Sequence, residues 1–336
     1  MTGRQRIESV LVGGAADRAA VLPIVHTGLA RMQGVPLGRY FTDANAMADV
    51  IVAGCRDLGL DGVQLTMGVA GEAEALGATV EQPSDGAPLI KQHPLKDVGR
   101  LDDLRQFDPA AGGRMPMYHA AVAETVRRIG EDTFVVSTLR GPLNIASQLR
   151  GVEDMLVDMI DNPGAVERVL DFATEVAIRC AQASLESGAH GLAFGEATCS
   201  PNFISPAMYR RFVQPRHVRL IAALRPMGWR HVGLHVCGNI LPIIDDLIAT
   251  GADWLDVDYQ VPAAKAIERA AGRVALRGNL DPVAVFLHGD PQQVMARTTE
   301  LIREVADSRW ILSSGCDIPP GSPRENLAAF VAAAGN

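Results

Sequence analysis

The chain has 336 residues, 48% hydrophobic and 21% charged, the balance of an ordinary globular protein. Its net charge of −8, with no basic run longer than a pair, argues against nucleic acid as a partner. No apolar stretch reaches the roughly 20 residues needed to cross a bilayer, and Met1–Ile7 lacks the apolar core of a signal peptide. A cytoplasmic protein without membrane contact is expected.

In chain order, short apolar runs alternate with longer segments of helical period. Candidate strands are Val21–His26, Gly62–Met67, Phe134–Leu139, Gly191–Gly195, Val232–Cys237, Trp254–Val257, Val274–Gly278 and Trp310–Ser313. Thr42-Asp43 precedes a helix over Ala44–Leu58, Ser205-Pro206 one over Ala207–Leu224, and Asp290-Pro291 one over Gln292–Ala306. The last two place a capping residue directly before Pro. Gly59, Gly188, Gly228, Gly251 and Gly272 mark helix ends. Between Gly77 and Pro94 the turn Pro83-Ser84-Asp85-Gly86 separates two short extended pieces, a small β-hairpin inserted after the second strand.

Eight strand-plus-helix units predict an α/β protein, a (β/α)8 TIM barrel with an N-terminal extension, as one domain over residues 1–336. The competing open doubly wound sheet calls for a glycine-rich phosphate turn after the first strand, and Val25-His26-Thr27-Gly28 is not one.

In such a barrel the chemistry sits where strands end. Polar residues there are His26, Gln64, Thr66, Arg140, Glu196, His235, Cys237, Asp256, Asp258, Asn279, Asp281, Cys316 and Asp317. Side chains alternate along a strand, so His235 and Cys237 point the same way. The five cysteines, Cys55, Cys180, Cys199, Cys237 and Cys316, are odd in number and far apart, a pattern for metal or catalytic use rather than disulfides. Cys55 and Cys180 lie among apolar residues of helical segments and read as core packing.

Zinc takes thiolate and imidazole ligands, and a catalytic zinc leaves one position open. His235, Cys237 and Cys316 are the candidate ligands and catalytic residues, with Glu196, Cys199 or the substrate in the fourth position. The opposing reading is a histidine and a partly buried cysteine that meet no metal. His26, Asn239, Asp256, Asn279 and Asp281 are candidate cofactor-binding residues; for Asp256, Asn279 and Asp281 the alternative is a cap or turn, and for His26 a backbone-satisfied side chain. Arg39, Arg140 and Arg277 are candidate anion binders.

The segments Leu234-His235-Val236-Cys237-Gly238-Asn239, Gly278-Asn279-Leu280-Asp281-Pro282 and Ser314-Gly315-Cys316-Asp317-Ile318-Pro319 resemble those of the uroporphyrinogen decarboxylase superfamily. Arg4-Gln5-Arg6-Ile7, Asp17-Arg18, Gly71–Gly77 and His93–Asp97 fit the same pattern, and the similarity runs over nearly the whole chain. It implies a single (β/α)8 barrel. The loop Ala30–Tyr40 lacks the dense arginines of the true decarboxylases, and Cys316 stands where they have histidine. The chain thus resembles the cobalamin-dependent methyltransferase branch, whose His-x-Cys…Cys zinc site matches His235, Cys237 and Cys316.

The resemblance implies Zn2+ as cofactor, methylcobalamin or a corrinoid protein as methyl donor, and a small thiol as acceptor. A decarboxylase or demethylase of another small substrate is the alternative, and a non-catalytic corrinoid-binding protein the third reading. Monomer and homodimer both stay open.

Overall fold

The computed structural model describes residues 1–335. Ten strands form: β1 (Ala20–Val21), β2 (Gly62–Thr66), β3 (Thr79–Glu81), β4 (Leu89–Gln92), β5 (Phe134–Arg140), β6 (Gly191–Gly195), β7 (Val232–His235), β8 (Trp254–Val257), β9 (Ala275–Leu280) and β10 (Trp310–Ser314). Eight make one parallel sheet in the order β1-β10-β9-β8-β7-β6-β5-β2, wrapped by helices into a nearly closed (β/α)8 barrel. β3 and β4 pair antiparallel as the hairpin expected after the second barrel strand.

Alternation along the strands sorts the interior from the helix-facing layer. Phe134 and Val136 of β5, Ala193 of β6, Trp254 of β8, Ala275 of β9 and Ile311 of β10 point inward at the lower end of the barrel. Their neighbours Val135, Leu192, Leu255, Leu276 and Leu312 face the surrounding helices. The same period turns Gln64, Asp256 and Arg277 inward one layer higher, and Thr66, Arg140 and His235 inward at the top.

The N-terminal extension is a capped helix, Gly3–Leu11, that buries Ile7, Val10 and Leu11 against the lower apolar layer. Each of the three contributes about 1.5–3 kcal/mol by leaving water. The seam between the terminal strands β1 and β2 is held by one carboxylate. Asp61, just before β2, accepts from the Val21 amide of β1 at 2.9 Å and from both Arg18 nitrogens at 2.9 and 2.8 Å, and it pairs with Arg6 of the extension.

The helix starts read from sequence are present. Asp43 caps Ala44–Leu58, Ser205 caps the helical segment from Pro206, and Asp290 caps Pro291–Val305. Two strands are shorter than expected. β1 stops at Val21, and the Leu22 amide makes one further bond, to the Leu312 carbonyl at 3.0 Å. β7 ends at His235, which leaves Cys237 on the loop that follows. Among the described residues no helix is long and apolar enough to cross a membrane.

Candidate metal centre

His235 closes β7 and points into the barrel mouth. Three residues on, Gly238 adopts φ +80°, and its amide is held by Asp258 at 2.9 Å, which fixes the turn carrying Cys237. Cys316 follows the end of β10 across the mouth. The three side chains converge: Cys237 Sγ lies 3.3 Å from His235 Nε2, Cys316 Sγ lies 3.8 Å from the same nitrogen, and the sulfurs are 4.0 Å apart. Tetrahedral zinc with Zn–S near 2.3 Å and Zn–N near 2.0 Å requires edges of about 3.8 Å between sulfurs and about 3.6 Å between sulfur and nitrogen. The donor set and its spacing fit that ion.

The other ring nitrogen is fixed from below. His235 Nδ1 lies 3.0 Å from Asp256 Oδ2. Asp256 also accepts from Trp254 Nε1 at 3.2 Å and from Arg277 Nε and Nη2 at 2.7 and 2.5 Å, and Arg277 Nη1 donates to Gln64 at 2.6 Å. Arg277 and Asp256 are fully buried, so the pair has little water to compete with it. Burial pushes the Asp256 carboxyl up, but the Arg277 charge and the His235 contact outweigh it, and the group stays below the usual carboxylate range. Burial likewise pushes the His235 imidazole down, yet the bond to Asp256 and the nearby Cys316 reverse this and raise it to about 10. The contact with Cys316 draws the Cys237 thiol down, and the contact with Cys237, together with burial, drives the Cys316 thiol up.

Glu196 and Cys199 stand apart from this trio. Glu196 is fully buried; its oxygens accept from the Leu143 and Asn144 amides at 3.1 and 2.8 Å and lie 2.9 Å from His217 Nε2. It caps the helix Pro142–Arg150 and, with Cys199 and His217, makes a separate buried cluster. His217 was not singled out in the sequence, although helical spacing places it with buried Val213, Leu220, Ile221 and Leu224.

The remaining candidates divide. Asp256 supports His235. His26 stands at the start of the helix Thr27–Met32 without a capping bond, its Nδ1 3.2 Å from Asp317 and its Nε2 buried without a partner. Asn239 accepts from the Leu241 amide, and Asp281 caps the helical turn Pro282–Leu287 through the Val283 and Ala284 amides. Asn279 donates to the Val261 carbonyl at 2.7 Å. Asn239, Asn279 and Asp281 thus make the turn and cap contacts of their own loops.

The uroporphyrinogen decarboxylase family model matches residues 2–336. The chain belongs to this family. Within it, the chain is 27% identical over 342 residues to a methylcobamide:CoM methyltransferase of Methanosarcina barkeri, covering 99% of this chain and 97% of that one. A uroporphyrinogen decarboxylase of Synechococcus is 22% identical over 276 residues, covering 80% and 76%. Among solved structures, a methyltransferase from Methanosarcina mazei superposes with a TM-score of 0.90 at 28% identity, covering 100% of this chain and 98% of that one. The barrel expected from strand counting is therefore the architecture of a family relative over its full length.

Proposed function

We propose that this protein is a methyltransferase that passes a methyl group from a corrinoid carrier to a small thiol, with zinc held by His235, Cys237 and Cys316. The observation that carries the reading is the convergence of one imidazole nitrogen and two sulfurs, from two strand ends, at zinc spacing. Full-length similarity to corrinoid:CoM methyltransferases supports it, as does the shorter, weaker match to decarboxylases.

Each residue has a definable task. Asp256 accepts the Nδ1 proton of His235, so that Nε2 turns its lone pair toward the sulfurs. Trp254 and Arg277 hold the Asp256 oxygens, and Gln64 holds Arg277. Held by His235, Cys237 and Cys316, a zinc ion would supply the Lewis acidity that lowers the pKa of a substrate thiol. The substrate sulfur then attacks the methyl carbon of the carrier. The sulfur–carbon bond forms, the cobalt–carbon bond breaks with its electron pair left on cobalt, and the thiol proton leaves through the mouth. Glu196, engaged by two amides and His217, is left out of the ligand set.

A decarboxylase of a polycarboxylate substrate needs several unpaired cations at the mouth. Of the three candidate arginines, Arg277 is bound to Asp256, and Arg39 is exposed with Asp43 3.7 Å away. That leaves one, and the decarboxylase reading falls behind.

The test is metal analysis of protein purified without chelators, joined to methyl transfer from methylcobalamin to a panel of thiols. About one zinc per chain and thiol methylation that disappears on chelation are expected. Zinc-free protein that still methylates thiols, or zinc-loaded protein that methylates none, would overturn the assignment.

A further inference from the structure

The surroundings of the five cysteines divide them into two groups. Cys55, Cys180 and Cys199 are buried; the Cys55 thiol faces the Leu60 carbonyl at 3.6 Å, and the Cys180 thiol the Pro109 carbonyl at 3.3 Å. Thiols enclosed in this way are inert to oxidants in solution. Cys237 and Cys316 are the two that are not buried, and their sulfurs lie 4.0 Å apart at the mouth.

A disulfide holds its sulfurs about 2.05 Å apart, so roughly 2 Å separates this pair from a bond. Both residues sit on loops, Cys237 two positions beyond the end of β7 and Cys316 two beyond the end of β10. The backbone beside each is clamped: Asp258 holds the Gly238 amide, and a Cβ on Gly315 would collide with the Tyr259 nitrogen. Rotation of the two side chains about χ1 is what closes the gap. Zinc takes thiolates, and a disulfide offers none. Once the two sulfurs bond to each other, His235 is the single donor left of the trio.

We infer that Cys237 and Cys316 form a reversible disulfide that closes the metal centre, so that oxidation and zinc occupancy exclude each other. The oxidant is a hydroperoxide. One sulfur attacks a peroxide oxygen: the S–O bond forms, the O–O bond breaks, and the departing hydroxide takes the thiol proton to become water. The second sulfur then attacks the first: the S–S bond forms, the S–O bond breaks, and hydroxide leaves and takes the second thiol proton. In sum two thiols lose two electrons and two protons, and one hydrogen peroxide becomes two waters. A reducing dithiol reverses the step by exchange. The inference uses the zinc site proposed above and makes no use of methyl transfer.

The experiment treats chelator-stripped and zinc-loaded protein with hydrogen peroxide and counts free thiols in denaturant. Metal-free wild type is expected to fall from five thiols to three, to become about 2 Da lighter, and to yield one cross-linked peptide pair joining Cys237 and Cys316. Zinc-loaded protein should lose thiols at least roughly tenfold more slowly, because its sulfurs are engaged. The oxidised chain should take up no zinc until dithiothreitol restores five thiols. Cys199→Ser, which starts with four thiols, should fall to two, whereas Cys316→Ser should form no internal disulfide. Five thiols surviving in the metal-free protein, oxygen added to a single sulfur, a cross-link through Cys199, or equal rates with and without zinc overturns the inference. A Cys237–Cys316 disulfide in a chain whose reduced form takes up no zinc overturns the zinc site of the proposed function and leaves the disulfide standing.

Discussion

Asp256 Oδ2 lies 3.0 Å from His235 Nδ1, on the face of the imidazole opposite the two sulfurs. The contact decides which nitrogen carries the proton and which is free to bind a cation. Removing such a carboxylate typically weakens a metal site 10- to 100-fold. Asp256→Asn is expected to lower zinc affinity by about that factor, read by competition with a chromophoric chelator. It also strips Arg277 of its only carboxylate, so the melting temperature should fall as well. Unchanged affinity would mean that His235 is not oriented from below.

Cys237 and Cys316 are partly exposed at the mouth and carry little of the core. Serine at either position should cut bound zinc well below one per chain and reduce thiol methylation by at least 100-fold, with little shift in thermal melting. Metal content by mass spectrometry and circular-dichroism melting check the two halves separately.

Zinc must displace protons to enter this site. His235 is raised to about 10 and Cys316 is also driven up, so both hold protons at neutral pH. Binding at pH 7 should release protons, visible with a weakly buffered indicator dye, and apparent affinity should rise steadily from pH 6 to pH 9. A pH-independent affinity would contradict the ligand set.

His190, at the lower end of β6, accepts the Val135 amide through Nδ1 at 3.0 Å, and burial lowers it to about 4. The unfolded chain, with the histidine near 6.5, binds the proton first. Its contribution to stability is thus complete above pH 6.5 and is lost as pH falls toward 4. Urea midpoints measured at pH 7 and pH 5 should differ, and the difference should shrink in His190→Asn, which keeps an acceptor without the titration.

The seam depends on Asp61, which is buried with Arg6 and partly buried Arg18. Asp61→Ala leaves Arg18 without its carboxylate and the Val21 amide without its acceptor, while Arg6 keeps only Asp17. A loss of about 3–5 kcal/mol is expected from breaking such a buried pair, measured by urea unfolding.

Much of the fold was legible because barrel strands alternate with helices that announce their ends, as Asp43 and Asp290 do. The hairpin was legible from its turn residues. The strand limits were harder: β1 ends at Val21, and β7 ends before Cys237 because the chain turns at Gly238. The three converging residues could be listed from their chemistry and their places at strand ends. What supports them could not. Arg277 read as one of three candidate anion binders, whereas barrel geometry brings it under Asp256 and next to Gln64, 213 positions away in sequence. Glu196 read as a ligand because only its position at a strand end was visible, and not the helix amides that claim it.

The imidazole of His235 is aimed from inside the barrel, by a chain of side chains that no mouth loop contributes to. The rim above it is built otherwise, with Val69, Leu89, Phe203, Tyr259 and Val283 all exposed. Substitutions there would alter what reaches the mouth without disturbing what orients His235. Descendants of one ancestral barrel would then diverge in clientele while inheriting the same reactive centre, which makes the rim the natural place to re-engineer the acceptor.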